Sequence, residues 1–310
     1  MPLFGSAAPP EEAVSVAPPQ ASSSLRQANG WFGLHLASLD YSANTVQSYT
    51  TSVELLARFL GDEYSLGKVT PRQLQAYLEW LAQPGAGRPR TPVKTLALRV
   101  TGLRTFFQTL FDAGIITANP AADLWAPVGE PPLPEVLSSD EEQRIRDLAW
   151  ALYREGRRHD PRPLLLLMLT LDLGLRRGEL ESLSTTQVIT SAPQVSIRIH
   201  YKERRHRYKN RTLTAPPQFR EVYRDYLRQY PPAGSEVFTA SRRTLHRVLE
   251  RLGQRTNASV RVTPMVMRWT CALHWYEQFE PEAVRTRLGL SPIGWLDAER
   301  SLQGLMQARQ

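Results

Sequence analysis

Residues 174–180 read Gly-Leu-Arg-Arg-Gly-Glu-Leu and begin where the most apolar run of the chain, Leu164 to Leu175, ends. That run is too short to cross a bilayer and contains Asp172, so it predicts a buried helix. The glycine interrupts this helix, and a second helix with Arg176 in its first turn is expected to follow. Taken alone, the arrangement is also typical of an arginine at the protein surface.

A second arginine lies in a comparable position further along the chain. Residues 263–268 read Thr-Pro-Met-Val-Met-Arg, with a threonine that can cap a helix and a proline at its first position. The apolar residues that follow predict that Arg268 is partly buried. Because a buried arginine requires an anionic partner, a phosphate is a reasonable one in this basic chain.

The composition indicates a globular chain with an excess of positive charge. The 310 residues are 42% hydrophobic and 22% charged, with a formal net charge of +8 and a pI of about 9.8. Such an excess favours nucleic acid or an anionic membrane surface as a partner, although a solvated basic surface has the same composition. Cys271 is the only cysteine, which excludes an intramolecular disulfide and a Cys-based zinc site and fits a reducing cytoplasm.

Helical periodicity and proline content divide the chain into four segments. Residues 1–24 are rich in Pro, Ala and Ser, have no signal-peptide pattern, and are predicted to form a disordered tail. Residues 25–125 are predicted to form a helical domain, with Ser42 and Thr70-Pro71 at the starts of two helices. A proline-rich linker is predicted over residues 126–136, followed by a mostly helical second domain over residues 137–310, opened by Ser139 and Glu142 in capping-box spacing.

One pair of strands is expected in the second domain. Val195, Ile197 and Ile199 alternate with polar residues, and residues 212–214 can form the returning strand. The polar hairpin between them carries the densest positive charge of the chain, from Lys202, Arg204, Arg205, Arg207, Lys209 and Arg211. A second basic group, on a loop and the helix after it in the first domain, comprises Arg88, Arg90 and Lys94. Both groups are interpreted as DNA-contacting surfaces, with a solvated charged face as the alternative.

Taken together, these segments resemble the tyrosine recombinases, or phage integrase family. Residues 174–180 match the family pattern G-L-R-x-x-E-L, and residues 263–269 resemble T-P-H-x-x-R-H. Residues 117–121 resemble the end of the family's N-terminal core-binding domain, and residues 281–291 the segment that leads to its nucleophile. The resemblance extends from about Leu25 to the C-terminus. It implies a mainly α fold with a small antiparallel sheet, in which a SAM-like core-binding domain and an integrase-type domain form a clamp around duplex DNA.

The same resemblance implies a site for a DNA phosphate. Arg176 and Arg268 match the two family arginines, which would neutralise the charge that develops on the phosphorane. Lys202 best matches the hairpin lysine because it directly follows the first strand, and Lys209 is its rival. Neither a metal nor a cofactor is implied. The implied partners are duplex DNA and other recombinase protomers, and the implied location is the cytoplasm, on the nucleoid.

Three positions depart from the pattern of active members. Met265 and Leu290 stand at the two histidine positions, and Glu299 stands at the position of the tyrosine nucleophile. The last tyrosine of the sequence is Tyr276, which precedes the segment that should supply the nucleophile. A carboxylate beside a phosphate is repulsive, and the two apolar side chains cannot transfer protons.

Four functions are compatible with these departures. The sequence favours a catalytically inactive DNA-binding protein that acts as an accessory, regulatory or architectural factor in DNA recombination or integration. The main alternative is an active site-specific recombinase with an unorthodox nucleophile or one supplied by a partner chain. A decayed remnant of a mobile element and a basic protein–protein scaffold are the other two.

Overall fold

The computed structural model describes residues 17–85, 90–125, 132–156 and 159–309. It divides the chain into two compact units, residues 1–131 and 132–310. Arg88, residues 1–16 of the predicted tail and residues 126–131 of the predicted linker lie outside the described residues. Within the described ranges, no helix is both long and apolar enough to cross a membrane.

In the described part of the first unit, four α-helices pack around a core of aliphatic and aromatic side chains. They are α1 (Leu25–Ser38), α2 (Ala43–Leu60), α3 (Pro71–Ala82) and α4 (Val93–Asp112). As predicted, the hydroxyl of Ser42 accepts a hydrogen bond from the N–H of Thr45, and Thr70 forms a capping box with Gln73. The ring of Phe32 meets that of Phe106 edge to face at 5.1 Å, which is a favourable aromatic geometry.

Part of the predicted tail is ordered. The carbonyl of Ala21 accepts a hydrogen bond from the N–H of Gly67, and that of Ser23 accepts one from the N–H of Leu66. Since these two N–H groups lie in a short turn that provides them with no other carbonyl, the preceding segment satisfies them. The prediction of disorder through residue 24 is therefore wrong for residues 21–24.

Helices dominate the second unit. They are α5 (Ser139–Arg154), α6 (Arg162–Leu167), α7 (Arg177–Glu181), α8 (Phe219–Gln229), α9 (Arg242–Arg255), α10 (Pro264–Gln278), α11 (Pro281–Leu288) and α12 (Pro292–Arg309). The capping box of α5 uses Ser138 and Glu141 instead of Ser139 and Glu142. Both pairs have the required spacing, but Glu141 also accepts a hydrogen bond from the N–H of Ser259 at 2.6 Å, which fixes the register of the first turn.

The predicted strand pair is present within a three-stranded antiparallel sheet. Strands β1 (Val188–Ile189), β2 (Ser196–Ile199) and β3 (Arg211–Thr214) pair in the order β1-β2-β3. A 3-10 helix, Arg204–Lys209, lies in the connection between β2 and β3, where a plain hairpin was predicted. The apolar run of residues 164–175 is buried as expected, and α6 continues into a π-helical turn, Met168–Asp172, immediately before Gly174.

Candidate phosphate site

The backbone turn at Gly174 places Arg176 beside the C-terminal end of α11. Gly174 has a φ of +57°, and a Cβ at this position would lie 3.1 Å from the Sγ of Cys271. A side chain here would therefore be both strained and crowded. The turn leaves Arg176 at the start of α7, where its Nη2 donates hydrogen bonds to the carbonyls of Gly289 at 2.6 Å and Leu288 at 3.3 Å.

Arg268 lies in the second turn of α10 and reaches the same carbonyl. Its Nη2 donates to the carbonyl of Leu288 at 2.6 Å, and its Nη1 donates to the carbonyl of Gly174. Only 8% of Arg268 is exposed. The structure thus brings Arg176 and Arg268 together on one carbonyl, and we refer to this pair as the two-arginine site.

Gly289 presents the carbonyls that hold the two-arginine site. It ends α11 in the left-handed conformation, with a φ of +63°. A Cβ there would lie 3.0 Å from Nη1 of Arg211 and 3.1 Å from the carbonyl oxygen of Lys209. Glycine is consequently required both by the backbone conformation and by the close approach of the β2–β3 connection.

A buried ion pair supports the site from behind. The guanidinium of Arg211 donates two hydrogen bonds to the carboxylate of Glu179, at 2.8 and 2.7 Å, and both side chains are only 3% exposed. The carboxylate also accepts the main-chain N–H of Arg176 at 2.8 Å and the hydroxyl of Tyr201 at 3.0 Å. Burial alone would raise the pKa of Glu179, but these donors and the charge of Arg211 lower it to about 2.

The charge balance of the site is strongly positive. Four cations, Arg176, Lys209, Arg211 and Arg268, surround the single carboxylate of Glu179, which gives this group a net charge of +3. Burial and the repulsion of Arg176 lower the pKa of Arg268 to about 9. Among the described residues, Arg268 forms no ion pair with a carboxylate. The site therefore holds desolvated positive charge that an added anion would stabilise.

Lys209, and not Lys202, is the lysine at this site. Burial and the nearby charge of Arg176 lower the pKa of Lys209, whose Nζ lies 5.0 Å from the ring centroid of Tyr201. Lys202 is exposed. The 3-10 helix turns the chain back and brings Lys209 toward Arg176, so these contacts favour Lys209, the rival in the sequence, over Lys202.

The other predicted DNA contacts fall into two classes. Arg204, Arg205 and Arg207 are exposed on the 3-10 helix, with Arg205 paired to Glu203 at 2.8 Å. Arg90 and Lys94 are exposed on the first unit. Arg211 is a correction: its guanidinium is buried against Glu179 and cannot contact DNA as predicted, because its position in β3 directs it into the domain.

The positions that match the family's histidines and tyrosine do not converge on a reactive group. Met265 is 58% exposed, and Leu290 packs against the core of the second unit. The Oε1 of Glu299 lies 3.5 Å from the hydroxyl of Tyr276. Tyr276 follows Arg268 by eight residues on α10, which corresponds to about 12 Å along the helix axis.

Two residues of the site were not singled out from the sequence. Glu179 was visible as the acidic residue three positions after Arg176, and its carboxylate accepts the main-chain N–H of Arg176 as the acidic residue of a capping box does. Tyr201 gave no such signal beyond its place among the basic residues of the connection. Within the described ranges, no group of three or more His, Cys, Asp or Glu side chains is arranged to hold a metal ion.

Comparison with known proteins agrees with the fold. Residues 33–114 match the family model described as "Phage integrase, N-terminal SAM-like domain". The tyrosine recombinase XerC of Vibrio vulnificus is 26% identical over 247 residues, which cover 76% of this chain and 73% of that protein. The XerC of Mycobacterium tuberculosis is 31% identical over 150 residues, 48% of this chain and 49% of that protein.

A solved structure of a lambda integrase dimer bound to a COC′ core site has the same fold. It superposes with a TM-score of 0.66 at 16% identity and covers 90% of this chain and 77% of that chain. The mainly helical architecture with a small antiparallel sheet, predicted from the sequence, is confirmed. Its N-terminal domain match, its curated relatives and its structural neighbours all identify the chain as similar to the tyrosine recombinases.

Proposed function

We propose that this protein binds duplex DNA through its phosphates and does not cleave it, acting as an accessory, regulatory or architectural factor in recombination. The observation that carries the proposal is the buried cation Arg268 beside Arg176, with main-chain carbonyls as its hydrogen-bond partners. A phosphate would supply the missing negative charge, and the planar guanidinium groups suit its oxygens.

The exposed arginines of the 3-10 helix would extend this contact along the duplex. Arg204, Arg205 and Arg207 lie in the same connection that brings Lys209 to the two-arginine site. The structural neighbour is a dimer on its core site, which supports other protomers as additional partners. Phosphate contacts of this kind give affinity without reading the base sequence.

Binding to a duplex should weaken steeply with salt, and the 3-10 helix should account for part of the slope. Each phosphate contact contributes about −0.9 to the slope of log affinity against log salt. Replacing Arg204, Arg205 and Arg207 by Ala should therefore make the slope less negative by about 2 to 3. Fluorescence anisotropy with a labelled duplex at several salt concentrations measures it.

A matched variant controls for net charge. Arg224, Arg228 and Arg300 are exposed arginines of the same unit, with side chains 65%, 73% and 80% exposed. Replacing these three by Ala removes the same charge away from the proposed contact and should leave the slope close to that of the parent protein. Equal slopes for both triple variants would contradict a specific contact by the 3-10 helix, and absence of binding at low salt would contradict the proposed function.

The isolated protein should form no covalent adduct with a nicked duplex that traps phosphotyrosyl intermediates. The residues at the histidine positions cannot transfer a proton, and the carboxylate of Glu299 contacts Tyr276, about 12 Å along α10 from Arg268. Glu299→Tyr alone should not restore cleavage. Denaturing electrophoresis reports the result: a shifted protein band that Arg268→Ala abolishes would instead support a recombinase with an unorthodox nucleophile.

A further inference from the structure

The hydroxyl of Tyr201 lies close to both the carboxylate of Glu179 and the guanidinium of Arg176. It donates a hydrogen bond to Oε1 of Glu179 at 3.0 Å. Burial and the charge of Glu179 raise the pKa of Tyr201, so the hydroxyl remains protonated and keeps donating through neutral pH. Sequence reasoning assigned no role to Tyr201, which corresponds to neither a family arginine nor the family lysine.

Three contacts fix the tyrosine in this place. Its main-chain N–H donates to the side-chain Oδ1 of Asn210 at 2.7 Å, which closes the connection between β2 and β3. The Nζ of Lys209 lies 5.0 Å from the centre of its ring, and the ring of His206 meets it edge on at 5.9 Å. The phenol is thus held through its backbone and by two contacts with its ring.

The carboxylate of Glu179 has no acceptor position left for another donor. Its Oε1 accepts from Arg211 and Tyr201, and its Oε2 accepts from Arg211 and the main-chain N–H of Arg176. Each carboxylate oxygen offers about two lone-pair sites. Nη1 of Arg176 forms an ion pair with Oε1 at 3.8 Å, beyond hydrogen-bond distance, and a small movement would let it bond there if a site became free.

We propose that Tyr201 is a positioning residue: by occupying Oε1 of Glu179, its hydroxyl holds the Arg176–Glu179 ion pair at 3.8 Å, prevents the guanidinium of Arg176 from hydrogen-bonding to that carboxylate, and keeps it available to a DNA phosphate. This inference rests on the proposed function of the two-arginine site. Without the hydroxyl, Arg176 closes from 3.8 Å to hydrogen-bond distance of Glu179, and its charge is more fully compensated within the protein. The site then offers less positive charge to an anion.

Tyr201→Phe removes the hydroxyl and keeps the ring that Lys209 and His206 contact. We expect its affinity for a duplex at moderate salt to fall about tenfold, the size of a lost charge-assisted hydrogen bond. Tyr230→Phe is the matched control, because Tyr230 lies in the same unit, outside the proposed contact, and also has a cation near its ring, with the guanidinium carbon of Arg162 4.7 Å from the ring centroid. The control should bind as the parent does, and thermal denaturation should show that both variants fold.

The double variant with Arg176→Ala separates a positioning role from a structural one. If Tyr201 acts through Arg176, then adding Tyr201→Phe to Arg176→Ala causes no further loss of affinity. An equal tenfold loss in both backgrounds would overturn the inference, since the tyrosine would then act by shaping the connection. Nitrogen-15 NMR of the arginine side chains in the free Tyr201→Phe protein should show a changed Arg176 guanidinium signal, and an unchanged signal would also overturn it.

The single variants distinguish failure of this inference from failure of the proposed function. If Arg176→Ala weakens binding and Tyr201→Phe does not, the two-arginine site stands and the role of Tyr201 is refuted. If Arg176→Ala binds duplex as tightly as the parent, Arg176 is not a phosphate contact and the inference fails; if the parent protein does not bind duplex at low salt, the proposed function fails with it.

Discussion

Arg268→Met should weaken duplex binding by about 30-fold or more while leaving the protein at least as stable as the parent. Truncating one partner of a buried, hydrogen-bonded charge pair costs about 2–5 kcal/mol of binding free energy. The methionine retains much of the side-chain volume, so the cavity left behind is small. Duplex titrations at constant salt and thermal denaturation of the free protein measure the two effects.

The stability effect follows from the burial of a cation without a carboxylate. The free protein bears the cost of holding Arg268 charged in a low-dielectric site, a cost that its lowered pKa reflects. Because Arg268 has no carboxylate partner among the described residues, replacing it with an apolar side chain removes this cost. The loss of a donor to the carbonyl of Gly174 opposes this gain, whereas the carbonyl of Leu288 keeps its bond from Arg176.

The control for this variant is Arg300→Met, which removes one exposed charge from α12 of the same unit. It should change neither binding nor stability by much. If Arg268→Met unfolds the protein, the arginine has a structural role and the interpretation of an anion site loses its main support. Duplex binding equal to that of the parent would contradict it directly.

Glu179→Gln should destabilise the second unit by about 3–5 kcal/mol at neutral pH. The substitution leaves the buried guanidinium of Arg211 without its counter-charge, which is the costly way to break a buried pair. It also replaces an acceptor of the Arg176 N–H and the Tyr201 hydroxyl by an amide, of which only one atom accepts. Urea denaturation monitored by circular dichroism gives the change in the free energy of unfolding.

The pH dependence of stability provides an independent check of Glu179. Its pKa is lowered from 4.5 to about 2 on folding, so its contribution is complete above pH 4.5 and is lost as the pH falls toward 2. In this window the parent should lose stability more steeply than Glu179→Gln. Parallel curves for the two proteins would show that the carboxylate is not the stabilising group. Glu141, whose pKa is likewise about 2, is unchanged in both and contributes equally.

Sequence reasoning found the arginines because their surroundings are local. Arg176 follows a glycine at the end of an apolar helix, and Arg268 follows a Thr-Pro helix start, so a few neighbouring residues determine where each side chain lies. The convergence of the two on the carbonyl of Leu288 is a tertiary contact, across 112 and 20 residues of chain. Only the family resemblance indicated that convergence from the sequence.

The β2–β3 connection shows where such reasoning fails. Whether Lys202 or Lys209 reaches the site depends on a 3-10 helix that no apolar periodicity marks, since the segment is almost entirely polar. The role of Arg211 was hidden for a related reason. Its charge resembles that of its exposed neighbours, and its burial depends on Glu179, which lies 32 residues earlier. β1 was missed because two residues are too few to show alternation.

The left-handed backbone at Gly174 and Gly289 has a consequence for how the gene tolerates mutation. These two residues carry no charge, yet one presents a carbonyl to Arg268 and the other to Arg176. A change of Arg176 or Arg268 to lysine retains a cation. At Gly174 or Gly289, by contrast, any of the other nineteen residues would strain the left-handed turn. In a screen for loss of DNA binding, the positions that tolerate the fewest substitutions should therefore include Gly174 and Gly289, which themselves have no side chain that could contact DNA.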